Sequence, residues 1–164
     1  MRKVAIVMGS SSDLEKVKPA ISVLDEFNVP YEVRVLSAHR TPVEAGEFAE
    51  RARDNGFGAI IAVAGKAAHL GGVLAASTTL PVVALPVQTS FLDGLDSVLS
   101  ILPMPSGVPV AVVGVNAGAN AALFCVRILA SDDAALTRKY EQYVKNMHDK
   151  TLVDDKLVRE QFSK

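Results

Sequence analysis

The chain has 164 residues, 49% of them apolar, with no tryptophan, so it is long enough for one domain with an interior of Val, Leu, Ile and Ala. A net charge of -1 with well-mixed signs, and no basic run interleaved with aromatics, excludes a nucleic-acid footprint. The single cysteine, Cys125, excludes an internal disulfide and fits a reducing compartment, the cytoplasm.

Met1-Arg2-Lys3 runs directly into the apolar stretch Val4–Met8, leaving no room for a signal-peptide core. That stretch, closed by Gly9, has the pattern of a strand buried on both faces. Ser10-Ser11-Ser12-Asp13 follows, then a helical pattern through Val17, Ile21, Leu24 and Phe27. Ser12-x-x-Glu15 can serve as its capping box, with Pro19 either in a late first turn or at a kink. Asn28-Val29-Pro30 ends it.

Tyr31, Val33 and Val35 alternate with Glu32 and Arg34 as a second strand. After Ser37-Ala38-His39-Arg40, Pro42 and a Thr41-x-x-Glu44 capping box start a helix reaching about Asp54, stopped by Asn55-Gly56. Ala59–Ala64 reads as the third strand, and Gly65–Gly72 leads into a small-residue helix, His69 to Thr78. Val82–Leu85 is the fourth strand, Phe91–Leu102 the next helix, Val110–Val115 the fifth strand and Ala117–Ala130 its helix. Val108–Ala130 is nearly uncharged, but Pro109, Gly114, Asn116 and Gly118 divide it into strand and helix and argue against a membrane span. Beyond Ser131, Asp132–His148 and Thr151–Phe162 are charged amphipathic helices, an extension (132–164) outside an α/β core (1–131) of a single domain.

Strands alternating with helices imply a three-layer α/β fold: a five-stranded parallel sheet in the flavodoxin-like order 2-1-3-4-5, with a C-terminal helical extension. The loops after strands one, two and three then share one sheet edge. Ser10, Ser12 and the helix start behind them offer hydroxyls and free N–H groups to a phosphate. Asp13 would repel a phosphate and is assigned to ribose hydroxyls, although Ser12 and Asp13 read equally well as ordinary caps. Arg40 supplies positive charge, His39 a group that gives and takes protons, and His69 a second imidazole on the adjacent loop. Gly65, Ala67, Ala68, Gly71 and Gly72 let backbone approach a flat ligand, although small residues serve close helix–strand packing equally well. The loops lack a third metal ligand beyond Asp13, and no Walker, dinucleotide or nucleophile-elbow motif occurs.

Met8-Gly9-Ser10-Ser11-Ser12-Asp13, Ser37-Ala38-His39-Arg40-Thr41-Pro42 and Ala67-Ala68-His69-Leu70 together resemble the N5-carboxyaminoimidazole ribonucleotide mutase family of purine biosynthesis, also named the phosphoribosylaminoimidazole carboxylase catalytic subunit. Gly94-Leu95-Asp96-Ser97 and Ala119-Asn120-Ala121-Ala122 are similar to it too. The resemblance implies a cytoplasmic homo-octamer acting on a small-molecule ribonucleotide without metal or other cofactor. It implies Ser10, Ser12 and Arg40 as phosphate ligands, Asp13 as the ribose ligand and His39 as the catalytic proton carrier. The catalytic His69 and the substrate-binding Ser37, Ala64, Gly65, Lys66, Ala67, Ala68 and Leu70 complete the implied site.

Two positions depart from the family pattern Gly-Gly-Ala-Ala-His-Leu-Pro-Gly: Lys66 replaces the second glycine and Gly71 the proline. Lys66 either tunes affinity for a carboxylate or points to solvent, and Gly71 is expected to loosen a turn. The rival reaction is carboxylation of aminoimidazole ribonucleotide by free CO2. A rival of another class is a flavodoxin-like module binding a flavin or a phosphate.

Overall fold

A computed structural model describes residues 1–163. Five strands form one all-parallel sheet in the order β2-β1-β3-β4-β5: β1 (Lys3–Met8), β2 (Tyr31–Val35), β3 (Phe57–Gly65), β4 (Val82–Val87) and β5 (Ala111–Val112). The helices are α1 (Leu14–Phe27), α2 (Pro42–Ala52), α3 (Leu70–Ala76), α4 (Leu95–Ile101), α5 (Gly118–Ala130) and α6 (Ala134–Phe162). This is the expected fold and strand order. The all-parallel arrangement puts every strand's carboxyl end, and the loop that follows it, on one edge.

The sheet divides the core in two. Val4, Ile6, Ala59, Ile61, Val83 and Leu85 face α1 and α5. Ala5, Val7, Ile60, Ala62 and Val82 face α2 and α3. Two helix contacts depend on glycine. A Cβ on Gly118 would lie 2.8 Å from the Lys16 carbonyl oxygen, so its absence lets the start of α5 press onto α1. A Cβ on Gly71 would lie 2.5 Å from Ile101 Cδ1. Gly71 therefore does not loosen a turn; it sits buried in the first turn of α3 and lets Ile101 of α4 approach.

Several boundaries move for identifiable reasons. β3 begins at Phe57, ahead of the expected Ala59, because the pairing with β1 skips Gly58, an irregularity that brings Phe57 into register with Lys3. A 3₁₀ turn at Ser11–Asp13 precedes α1, and the Ser10 hydroxyl accepts the Ser12 N–H, so Ser10 caps this entry and the Ser12–Glu15 box does not form. α1 then runs through Pro19 in its second turn, not from it. The helix expected over Phe91–Leu102 shrinks to α4 because Leu92, Asp93 and Gly94 take positive φ of 50°, 53° and 94°.

β5 retains only Ala111 and Val112 of the six residues expected. Ala84 and Pro86 of β4 turn their carbonyls toward it, accepting Val113 and Asn116 N–H at 3.1 and 2.9 Å. Pro86 has no N–H to return, and the ladder loses a rung there.

The extension is one helix of 29 residues, not two. Asp133 caps it by accepting the Ala135 and Leu136 N–H groups, both at 3.0 Å. Its first turns are anchored by buried Leu136 and by Tyr140 and Tyr143, whose rings pack tilted against Phe27. From Val144 to Phe162 every residue is exposed, Met147, Val153, Leu157 and Phe162 included. Among the described residues, no helix is long and apolar enough to cross a membrane.

Gly118→Ala forces α5 away from the backbone of α1 and is expected to cost about 1–3 kcal/mol, as overpacking does. For a chain of this size each kcal/mol lowers the thermal midpoint by roughly 2–4 °C, readable by calorimetry.

Candidate active site

The loops at the carboxyl edge enclose a cleft of about 590 Å³. Its wall contains Gly9, Ser10, Ser12 and Asp13 after β1, Ser37, Ala38, His39 and Arg40 after β2, and Ala64, Gly65, Lys66, Ala67 and Leu70 at the end of β3 and beyond. The three sequence segments thus meet at one place. Val87 at the end of β4, with Gln88, Thr89 and Ser90 after it, forms a further wall that was not among the expected site residues. Their signal was positional, since a fourth parallel strand ends on the same edge as the third.

The loop after β2 is braced from within. Thr41 Oγ1 accepts the Ser37 N–H at 2.8 Å and lies 3.2 Å from the Ser37 carbonyl oxygen, to which it donates. The hydroxyl is therefore spent on the loop and makes no helix-capping bond, contrary to the expected Thr41–Glu44 box. Ser37 Oγ in turn accepts the backbone N–H groups of His39 and Arg40 at 3.3 and 3.2 Å. Arg40 then crosses to the neighbouring loop, its Nη2 donating to the Gly9 carbonyl at 2.6 Å. This tie leaves other guanidinium N–H groups beside the serine turn for an anion.

His39 Nε2 lies 3.0 Å from His69 Nδ1, the rings meeting edge to face at a centroid distance of 5.1 Å. A bond between two imidazoles needs an N–H on one and a lone pair on the other, so the pair holds one proton in common. His69 is exposed and does not itself line the cleft; it meets the lining through His39. Ala68 is buried, and its N–H goes to Ser100 Oγ at 3.0 Å and is not offered to the cleft.

Lys66 has a φ of +57°, the left-handed region that costs a non-glycine residue roughly 1–2 kcal/mol. This is the physical reason a glycine suits the position. Gly65 is close-packed too, since a Cβ there would lie 3.2 Å from Thr89 Cγ2. The β4 loop is fixed by Thr89 Oγ1 bonding Asp96 at 2.8 Å and by reciprocal bonds between Gln88 and Asn116, both at 3.1 Å. Among the described residues, no three His, Cys, Asp or Glu side chains gather as a metal site requires.

Burial raises the Asp13 carboxyl above its ordinary value, and the Ser12 hydrogen bond and the Arg40 charge only partly oppose it. Cys125 lies fully buried, its thiol pushed up to about 12, and is chemically inert.

A family profile described as AIR carboxylase matches residues 3–150. A Pyrococcus horikoshii protein named N5-carboxyaminoimidazole ribonucleotide mutase is 48% identical over 156 residues, covering 95% of this chain and 87% of that one. A Bacillus subtilis protein of the same name is 54% identical over 145 residues, 87% of this chain and 90% of its own. Among solved structures, Treponema denticola PurE superposes with a TM-score of 0.86 at 27% identity, covering 98% of both chains.

Because Asp13 is raised, its stabilising contribution is complete while it is protonated and is lost as pH climbs through the raised value. Asp13→Asn never ionises. It is expected to melt above the parent protein at pH 7, the difference closing below roughly pH 4, while its affinity for a ribonucleotide falls. Thermal scans across pH read the first effect and calorimetric titration the second.

Proposed function

We infer the reaction from one premise: the chain belongs to the AIR carboxylase family. Within that family it is an isomerase, moving the carboxyl group of N5-carboxyaminoimidazole ribonucleotide from N5 to C4 of the imidazole. The observation that carries this reading is the His39–His69 pair, 3.0 Å apart on the loops after β2 and β3, the first lying beside the serine turn and the second forming the small-residue wall.

Ser10, Ser12 and Arg40 bind the phosphate, the serine turn offering hydroxyls and N–H groups and Arg40 its remaining fork. Asp13 accepts the ribose hydroxyls. The base lies against Ser37, Ala64, Gly65, Ala67 and Leu70, with Ala68 beneath them. The N5–carboxyl bond breaks, its electron pair returns to N5, and His39 delivers the proton that leaves a free amine and CO2. The C4 carbon attacks that CO2, and His39 takes the C4 proton, so the reaction closes with atoms and charge unchanged. His69 steadies the His39 ring and shares its proton. Holding CO2 beside C4 turns recapture into an intramolecular step, a proximity effect worth several kcal/mol.

The family profile carries the name of a carboxylase, and Arg40 together with the Ala67-Ala68-His69-Leu70 segment favours the mutase. At low bicarbonate the protein is expected to convert the N5-carboxylated nucleotide and to leave the bare nucleotide largely untouched. A preference for bare nucleotide plus CO2 would instead select the carboxylase. His39→Asn is expected to abolish turnover while keeping nucleotide binding within about tenfold, because it removes the proton carrier and little contact area. Turnover near the parent rate would end that role for His39.

The working unit is a cytoplasmic homo-octamer. The support is the unpartnered apolar surface: Leu95 and Leu99 on α4 with Phe91, Leu92 and Leu102 flanking it, and the outer half of α6. Light scattering is expected to return the mass of eight chains, and a monomer would overturn it.

A further inference from the structure

The loop after β3 carries a lysine in a backbone conformation that glycine adopts freely. Lys66 is held at φ +57° by Ser100, whose hydroxyl donates to the Lys66 carbonyl at 3.1 Å and accepts from Ala68 N–H at 3.0 Å. The turn itself does not need a side chain there, and a strained residue on a cleft wall points to use by a ligand. The Lys66 side chain is exposed, and among the described residues no carboxylate stands within ion-pairing distance of it.

The cleft's two permanent cations occupy different loops. Arg40 follows β2 and Lys66 follows β3, with β1 between them in the sheet, so the strand ends are roughly 10 Å apart. Arg40 is tied beside the serine turn at Gly9. Lys66 stands between the small residues Gly65 and Ala67. That spacing matches a ligand with a phosphate at one end and a second anion on a flat group at the other.

We propose that Lys66 pairs with the carboxylate on the substrate's base and so distinguishes carboxylated from bare aminoimidazole ribonucleotide. This rests on the reaction assigned above. Substrate and product both present that carboxylate, whereas the intermediate stage holds neutral CO2. The pair therefore strengthens binding of the two end states and does nothing for the step between them. A single ammonium on a flexible stem can follow the carboxyl from N5 to C4.

The test is calorimetric titration of the parent protein and of Lys66→Gln, Lys66→Gly and Lys66→Arg. The probes are the C4-carboxylated product nucleotide and the bare nucleotide, with steady-state kinetics and thermal midpoints alongside. Lys66→Gln and Lys66→Gly are expected to bind the carboxylated nucleotide about tenfold more weakly, with the bare nucleotide unchanged. Lys66→Arg recovers most of the loss. In steady state KM and kcat rise together and kcat/KM stays near the parent value, because the pair holds the bound substrate and not the transition state.

Lys66→Gly is expected to raise the thermal midpoint by roughly 2–4 °C as the left-handed backbone is relieved. Equal losses for both nucleotides, no loss, or a lower midpoint in Lys66→Gly would overturn the proposal. If the parent protein binds both nucleotides and Lys66→Gln matches it, only the Lys66 role falls. If the parent binds neither, the reaction assignment falls and takes this role with it.

Discussion

The cleft depends on one bond between loops, the Arg40 guanidinium donating to the Gly9 carbonyl across the ends of β1 and β2. Parallel pairing brings those strand ends together, but only side chains can fix how the loops beyond them lie. Arg40 does this while keeping donors in reserve, and it does so from a loop that Ser37 and Thr41 have already closed on itself. The Arg40 charge, the serine turn and the His39 imidazole are therefore positioned by one small hydrogen-bonded unit. A charge-assisted bond of this kind is stronger than a neutral one, which suits a tie made at an exposed rim.

Behind the rim, small residues let the layers close. Gly118 brings α5 onto α1, Gly71 brings α3 to α4, and Gly65 brings the end of β3 to Thr89. The same economy of side-chain volume gives the cleft its room. Where bulk returns, at Lys66, the backbone is strained and the side chain is charged. Small residues build the pocket and a few long polar ones equip it.

Much of this was legible in the chain itself. Continuous apolar runs such as Val4–Met8 mark strands covered on both faces, and their alternation with helical patterns dictates a parallel sheet whose loops share an edge. From that, the convergence of Ser10, His39 and the Gly65–His69 segment follows. What escaped depends on contacts distant in sequence. Thr41 is a good helix cap by local rules, yet its hydroxyl bonds Ser37. The β5 run is apolar enough for six residues, yet a proline on the neighbouring strand cuts its pairing. Gln88 and Thr89 carry no motif and enter the cleft only because β4 ends beside β3. Asn28, by contrast, was readable, since a left-handed asparagine after Phe27 is a common way to end a helix.

The long helix α6 has a consequence for the order of events in the cell. It follows the whole α/β unit in the chain, and from Val144 to Phe162 its residues are exposed. A ribosome therefore releases every strand of the sheet before these outer turns exist. The interior can settle before the exposed apolar residues of α6, Met147, Val153, Leu157 and Phe162 among them, join the chain, which limits the sticky surface that a partly folded chain displays.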